Sequence, residues 1–154
     1  ASPVAAAPAE REFFAAVRAG DDAAVRAVRA APADVVNKVD EDSMTALHYA
    51  ALQGHAAVCR VLLGRGDFRG LRWQDKTGNT ALHIATLHDH GDACDAMLGA
   101  DPESSAVANR FGETPGDLAR RRGVAAVCAI FRAHAFGAGL ARRAGAAPAE
   151  RRGR

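Results

Sequence analysis

Large rings are scarce in this chain. Aromatic residues make up 5% of its 154 positions, which excludes a thick core built around them. Lysine is nearly missing: Lys38 and Lys76 stand against 18 arginines, a compositional bias rather than a functional signal. Three cysteines with no close pair exclude a disulfide framework and point to a reducing, intracellular compartment. Cytoplasm or nucleus is expected, or an organelle if the N-terminus is processed. No stretch approaches the roughly 18 continuous apolar residues of a membrane span. The opening Ala1–Pro8 lacks the basic flank and apolar run of a signal peptide. It also lacks an initiator methionine, so the chain is expected to be processed or cut from a longer one. A net charge of +2 gives no global argument for nucleic acid or an anionic membrane. Phosphate loops, nucleophile elbows and dinucleotide fingerprints are missing too, so no enzyme, cofactor or metal is expected.

Alanine is what the chain has in excess. It supplies 38 of 154 residues, and larger apolar side chains make up only about a quarter. That suits a thin core repeated along an axis. A period appears at once. Thr45-Ala46-Leu47-His48-Tyr49-Ala50-Ala51 returns 35 residues later as Thr80-Ala81-Leu82-His83-Ile84-Ala85-Thr86. Thr114-Pro115-Gly116-Asp117-Leu118-Ala119 follows 34 residues after that. Turn-forming runs precede each copy: Asp40–Ser43, Asp75–Gly78 and Asn109–Gly112. Phe13-Phe14-Ala15-Ala16-Val17 opens a degenerate first copy. Each threonine is placed to cap a helix, and Pro115 falls in a first turn, where it costs no hydrogen bond.

The pattern resembles the ankyrin-repeat family, over about residues 10–135. Its signature, Gly-x-Thr-Pro-Leu-His and then x-Ala-Ala-x-x-Gly-His, is matched by Thr45, Leu47, His48, Ala50, Ala51, Gly54 and His55. Gly78, Thr80, Leu82, His83 and Ala85 match it again, as do Gly112, Thr114, Pro115, Ala119 and Gly123. The resemblance implies an all-α solenoid of stacked helix-turn-helix pairs with short hairpin-like turns. Repeats are expected near 10–38, 39–73, 74–107 and 108–135. They are flanked by a disordered segment 1–9 and a basic tail 136–154.

Departures from the signature carry expectations of their own. Ser43 replaces a turn glycine, so its turn is expected to be looser. Asp89 replaces the inter-helix glycine, so the first helix of that copy is expected to run longer. Gly116 and Asp117 replace Leu and His, which weakens the core face of the last copy as in a terminal cap. Between Gly64 and Gln74 the residues Phe68, Leu71 and Trp73 predict an enlarged, partly apolar turn.

His48 and His83 hold the family's bridging position. His83, His88, His90 and Cys94, with Asp89, Asp92 and Asp95, have zinc-ligand chemistry. Yet His83 is claimed by the repeat, and a spacing of two points His88 and His90 to different sides of a helix. Cys59, Cys94 and Cys128 share one repeat phase and are expected as buried free thiols. Arg65-Gly66-Asp67 spells an integrin-binding tripeptide, a match too short to carry weight. Asp21-Asp22 and Glu41-Asp42 have no partner base or nucleophile.

As the resemblance implies, function lies on a concave face that binds another protein. The turn tips supply Glu41, Asp42, Met44, Lys76, Thr77, Asn79, Arg110, Phe111 and Glu113. The first helices supply Leu52, Gln53, Leu87, His88, Arg121 and Arg122. Met44, Leu52, Leu87 and Phe111 are expected exposed, an apolar set rimmed by charge. Acids in the second copy and arginines in the fourth suggest a partner with the opposite gradient. Trp73 is a further contact candidate, with packing back on the repeats as its alternative. Arg142, Arg143, Arg151, Arg152 and Arg154 against Glu150 give the tail +4. That tail is either a solvated appendage or an arm for an anionic partner. The leading reading is a non-enzymatic adaptor or assembly subunit, not a homo-oligomer. A regulatory segment of a larger enzyme or channel, and a nucleic-acid or membrane-surface binder, are the alternatives.

Overall fold

The computed structural model describes residues 8–20 and 22–135, and among them every regular element is helical. The tail arginines Arg142 to Arg154, and residues 1–7 of the N-terminal segment, lie outside the described residues. The helices are α1 (Pro8–Ala19), α2 (Asp22–Ala30), α3 (Ala33–Val36), α4 (Ala46–Gln53), α5 (Ala56–Gly64), α6 (Ala81–Leu87), α7 (Gly91–Ala100) and α8 (Pro115–Arg122). A ninth, α9, covers residues 125–135, and single 3-10 turns lie at Gly70–Arg72 and Pro102–Ala106. Helix α1 starts two residues ahead of the boundary expected at residue 10.

Sequence spacing becomes stacking directly. Helices α1, α4, α6 and α8 pack in one row, and α2, α5 and α7 in a second. Asp95 on α7 bonds His134 on α9, which continues the second row. Leu47, Val58 and Leu62 of one repeat and Leu82, Cys94 and Met97 of the next are fully buried between the rows. No helix could bury such a stripe alone, so each repeat needs its neighbours.

Local chemistry sets the helix ends. Thr45, Thr80 and Thr114 each take extended backbone and accept the amide of His48, His83 or Asp117. Those three side chains return the bond to the threonine amide, completing capping boxes. Gly54 and Gly123 end α4 and α8 in the left-handed region.

Two expectations about replaced glycines are overturned, both for one reason. Ser43 and Asp89 adopt the left-handed conformation themselves, at φ 61° and 60°. The Ser43 turn is therefore as closed as the others, its amide donating to the Asp40 carbonyl at 3.0 Å. Helix α6 is one residue shorter than α4 rather than longer, because Asp89 performs the glycine's turn. The Gly64–Gln74 segment divides. Phe68 and Leu71 pack against the core, while Trp73 stays 38% exposed. Arg65 of the tripeptide donates to the carbonyls of Val28 and Ala31 and pairs with Asp67 at 2.7 Å. It acts as a brace to the first repeat.

Candidate functional site

Each turn is built on one side-chain oxygen. Asp40 Oδ1 accepts the amides of Asp42 and Met44, both at 2.9 Å. Asp75 Oδ1 accepts the amides of Thr77 and Asn79 and the Thr77 hydroxyl. Asn109 Oδ1 accepts the amides of Phe111 and Glu113. This is the Asx-turn device used three times. Adjacent turns are then joined: the Lys76 amide donates to the Asp42 carbonyl, and the Arg110 amide to the Thr77 carbonyl. Asn109 also donates to the Asn79 side chain at 3.0 Å. The result is a row of three linked fingers.

Histidines tie the fingers to the helices. His48 Nδ1 accepts the Thr45 amide at 3.1 Å, and its Nε2–H donates to the Asn79 carbonyl at 3.0 Å. His83 repeats this with the Thr80 amide and the Glu113 carbonyl. Both rings are therefore neutral, and burial pushes their pKa values below the ordinary 6.5. A second pair reaches the other way. His55 Nε2–H donates to the Arg18 carbonyl and His90 Nε2–H to the Leu52 carbonyl. Glycine makes room for each ring: a Cβ on Gly20 would lie 2.0 Å from His55, and one on Gly54 would lie 2.6 Å from His90. Sequence reading missed this second pair, although Gly20 and Gly54 each precede their histidine by 35 and 36 residues.

On this frame the candidate residues fall into place unevenly. Glu41, Asp42, Lys76, Thr77, Arg110 and Phe111 are exposed along the finger tips. Phe111 is the most open, at 77%. Gln53, His88, Arg121 and Arg122 are exposed at the ends of the first helices beside them. Met44 and Leu52, expected exposed, are instead half-buried against the core, and Leu87 is half-buried as well. Asn79 and Glu113 are half-buried too, because their carbonyls serve His48 and His83.

The charges expected to form a gradient are largely engaged within the chain. Lys76 pairs with Asp42 at 3.5 Å, Arg121 with Glu113 at 2.9 Å and Arg122 with Asp89 at 2.8 Å. The Arg122 hydrogen bond holds the Asp89 carboxyl below the usual carboxylate range. Trp73 stands with Val39, 46% exposed, beside an open groove that includes Ser43, Arg72 and Gln74. Val39 is an exposed apolar residue the sequence reading did not single out.

The histidine-rich segment makes its contacts within the chain. His83 and His90 are bonded as above, and His88 stacks on His90 with ring centres 6.2 Å apart. Among the described residues no group of three potential ligands could hold a metal. Cys59 and Cys94 are buried and free, with burial raising their thiols to about 12 and about 11. Cys128, expected buried, is only half-buried, and donates to the Ala119 carbonyl at 3.1 Å. No helix among the described residues is long and apolar enough to cross a membrane.

A family model described as ankyrin repeats in three copies matches residues 13–106. No curated protein matches the chain.

Proposed function

Since the chain belongs to the ankyrin-repeat family, whose stacks generally act in protein–protein interaction, we propose that it is a non-enzymatic binding module, an adaptor or a subunit of a larger assembly. Its partner is a protein that lies along the finger tips and the adjoining ends of α4, α6 and α8. Phe111 carries this reading. It is a large ring, 77% exposed, on a loop held in shape by Asn109. A rigid aromatic in open solvent, with Arg110 beside it, has the character of an interface hot spot. The ends of the first helices add polar rim contacts through Gln53, His88, Arg121 and Arg122.

A photo-crosslinking residue placed at the exposed Arg110, and in a second sample at the exposed Ala57 on the opposite helix row, tests the surface with Phe111 intact. A protein captured from position 110 and not from 57, and lost when Phe111→Asp is added with an unchanged circular dichroism spectrum, supports the reading. Equal capture from both positions rejects it. If capture needs the tail arginines, disappears when they become serine and collapses with salt, the working part is an arm for an anionic partner instead.

A further inference from the structure

The last repeat departs from the others on one connected surface. Leu47 and Leu82 are fully buried, and Gly116 stands at the same position 34 residues after Leu82. The fully buried Ala51 and Thr86 give way to exposed Arg120. Leu63 and Leu98 give way to exposed Arg132, and the fully buried Leu62 and Met97 to half-buried Phe131. Arginines on the outer side of a terminal repeat are what solubility demands. Solubility does not account for Gly116. Its backbone is not left-handed, and a Cβ there would meet its nearest neighbours at 3.7–4.0 Å, an ordinary contact. Glycine is also a poor helix former. A Cβ would be accommodated, and the space that a leucine side chain fills in the other repeats is open.

That empty place is a cavity of about 310 Å³ between α8 and α9. Gly116, Ala119, Cys128 and Phe131 form its apolar floor, and Arg120 and Arg132 its rim. Arg120 shares its charge with Asp117, while no ion pair engages Arg132 among the described residues. By sequence alone, residues 114–154 hold nine arginines against Asp117 and Glu150, a net +7, so residues 1–113 carry −5.

We infer that this end pocket binds an acidic peptide segment that inserts one large apolar side chain where Leu47 and Leu82 sit in the other repeats. Carboxylates on either side of the anchor would lie against Arg120 and Arg132. Charge argues against the chain's own tail as occupant, because residues 136–154 carry +4 and the rim has the same sign. A phosphate backbone would satisfy the arginines and leave the apolar floor without a partner. The pocket is a different surface from the finger row, and the inference does not depend on the finger reading.

Fluorescence anisotropy with the full chain tests it. The probes are labelled heptapeptides with three glutamates on each side of a central Leu, Phe or Ala. The Leu and Phe peptides are expected to bind about tenfold tighter than the Ala peptide, as burial of one large side chain allows. Gly116→Leu, with thermal stability unchanged or raised, should erase that difference by filling the space. Arg132→Glu should weaken all three by several-fold, and added salt should do the same. Equal binding of the three peptides overturns the proposal, as does wild-type binding by Gly116→Leu. A tenfold gain for the Leu peptide on Phe136→Ser/Leu140→Ser overturns it too, since the tail would then be the occupant.

Discussion

A glycine and a serine in one backbone conformation have opposite prospects under mutation. Gly54 sits at φ 76° with the His90 ring where a side chain would go. Gly54→Ala should therefore destabilise the fold by about 2–4 kcal/mol in urea unfolding, from left-handed strain plus displacement of the ring. Ser43 holds φ 61°, and Ser43→Gly should relieve strain and raise stability by about 0.5–1 kcal/mol. Asp89 shows why the left-handed position in the third repeat need not be glycine. Val124 stands where His55 and His90 stand in the earlier copies, so no ring crowds Asp89. The buried histidines give the fold its acid response. His48 and His83 have depressed pKa values, so the unfolded chain binds more protons once pH falls below about 6.5. Stability should be level above that pH and decline below it until the folded-state values are passed. Urea midpoints at pH 7.5, 6.5 and 5.5 measure this, and a wild-type slope retained by His48→Gln/His83→Gln would place the response elsewhere.

The finger is the element in which a single oxygen does most. Asp75 Oδ1 holds two amides and a hydroxyl. Asp75→Ala should cost about 1–3 kcal/mol. It should also strip hydrogen-exchange protection first from the Thr77, Gly78 and Asn79 amides, while the Leu82 to Thr86 amides keep theirs. The helices and fingers were legible in sequence because their rules are local. Thr45, Thr80 and Thr114 announce caps, and Asp40, Asp75 and Asn109 announce turns. What escaped was decided by contact between repeats. Met44 and Leu52 were placed on the exposed face by their register, yet both pack against the buried core, which no local rule encodes. Ser43 and Asp89 were misread because composition was taken as conformation. A closed loop can impose a left-handed φ on a residue that does not favour it.

The whole molecule is electrically lopsided, with −5 in residues 1–113 and +7 beyond. Part of this is cancelled locally: Arg121 and Arg122 are tied to Glu113 and Asp89 across neighbouring elements. Which arginines remain open to a partner was not readable from the sequence, where all of them look equally free. The fingers divide the same way. Lys76 and Asp42 are exposed but face each other, whereas Glu41, Arg110 and Phe111 are exposed on the same row outside that pair.

The two-way histidine bracing also sets the order in which the stack would come apart under tension. The junctions ahead of the second and third repeats carry a ring reaching back, His55 and His90, buttressed by glycine. The last junction keeps His83 but has Val124 in place of the returning ring. Its outer ties are the Arg122–Asp89 ion pair and the His134–Asp95 hydrogen bond. Pulled from its two ends in an optical trap, the chain should release α8 and α9 first. That first rupture force should fall as salt is raised, while the later ruptures stay where they were.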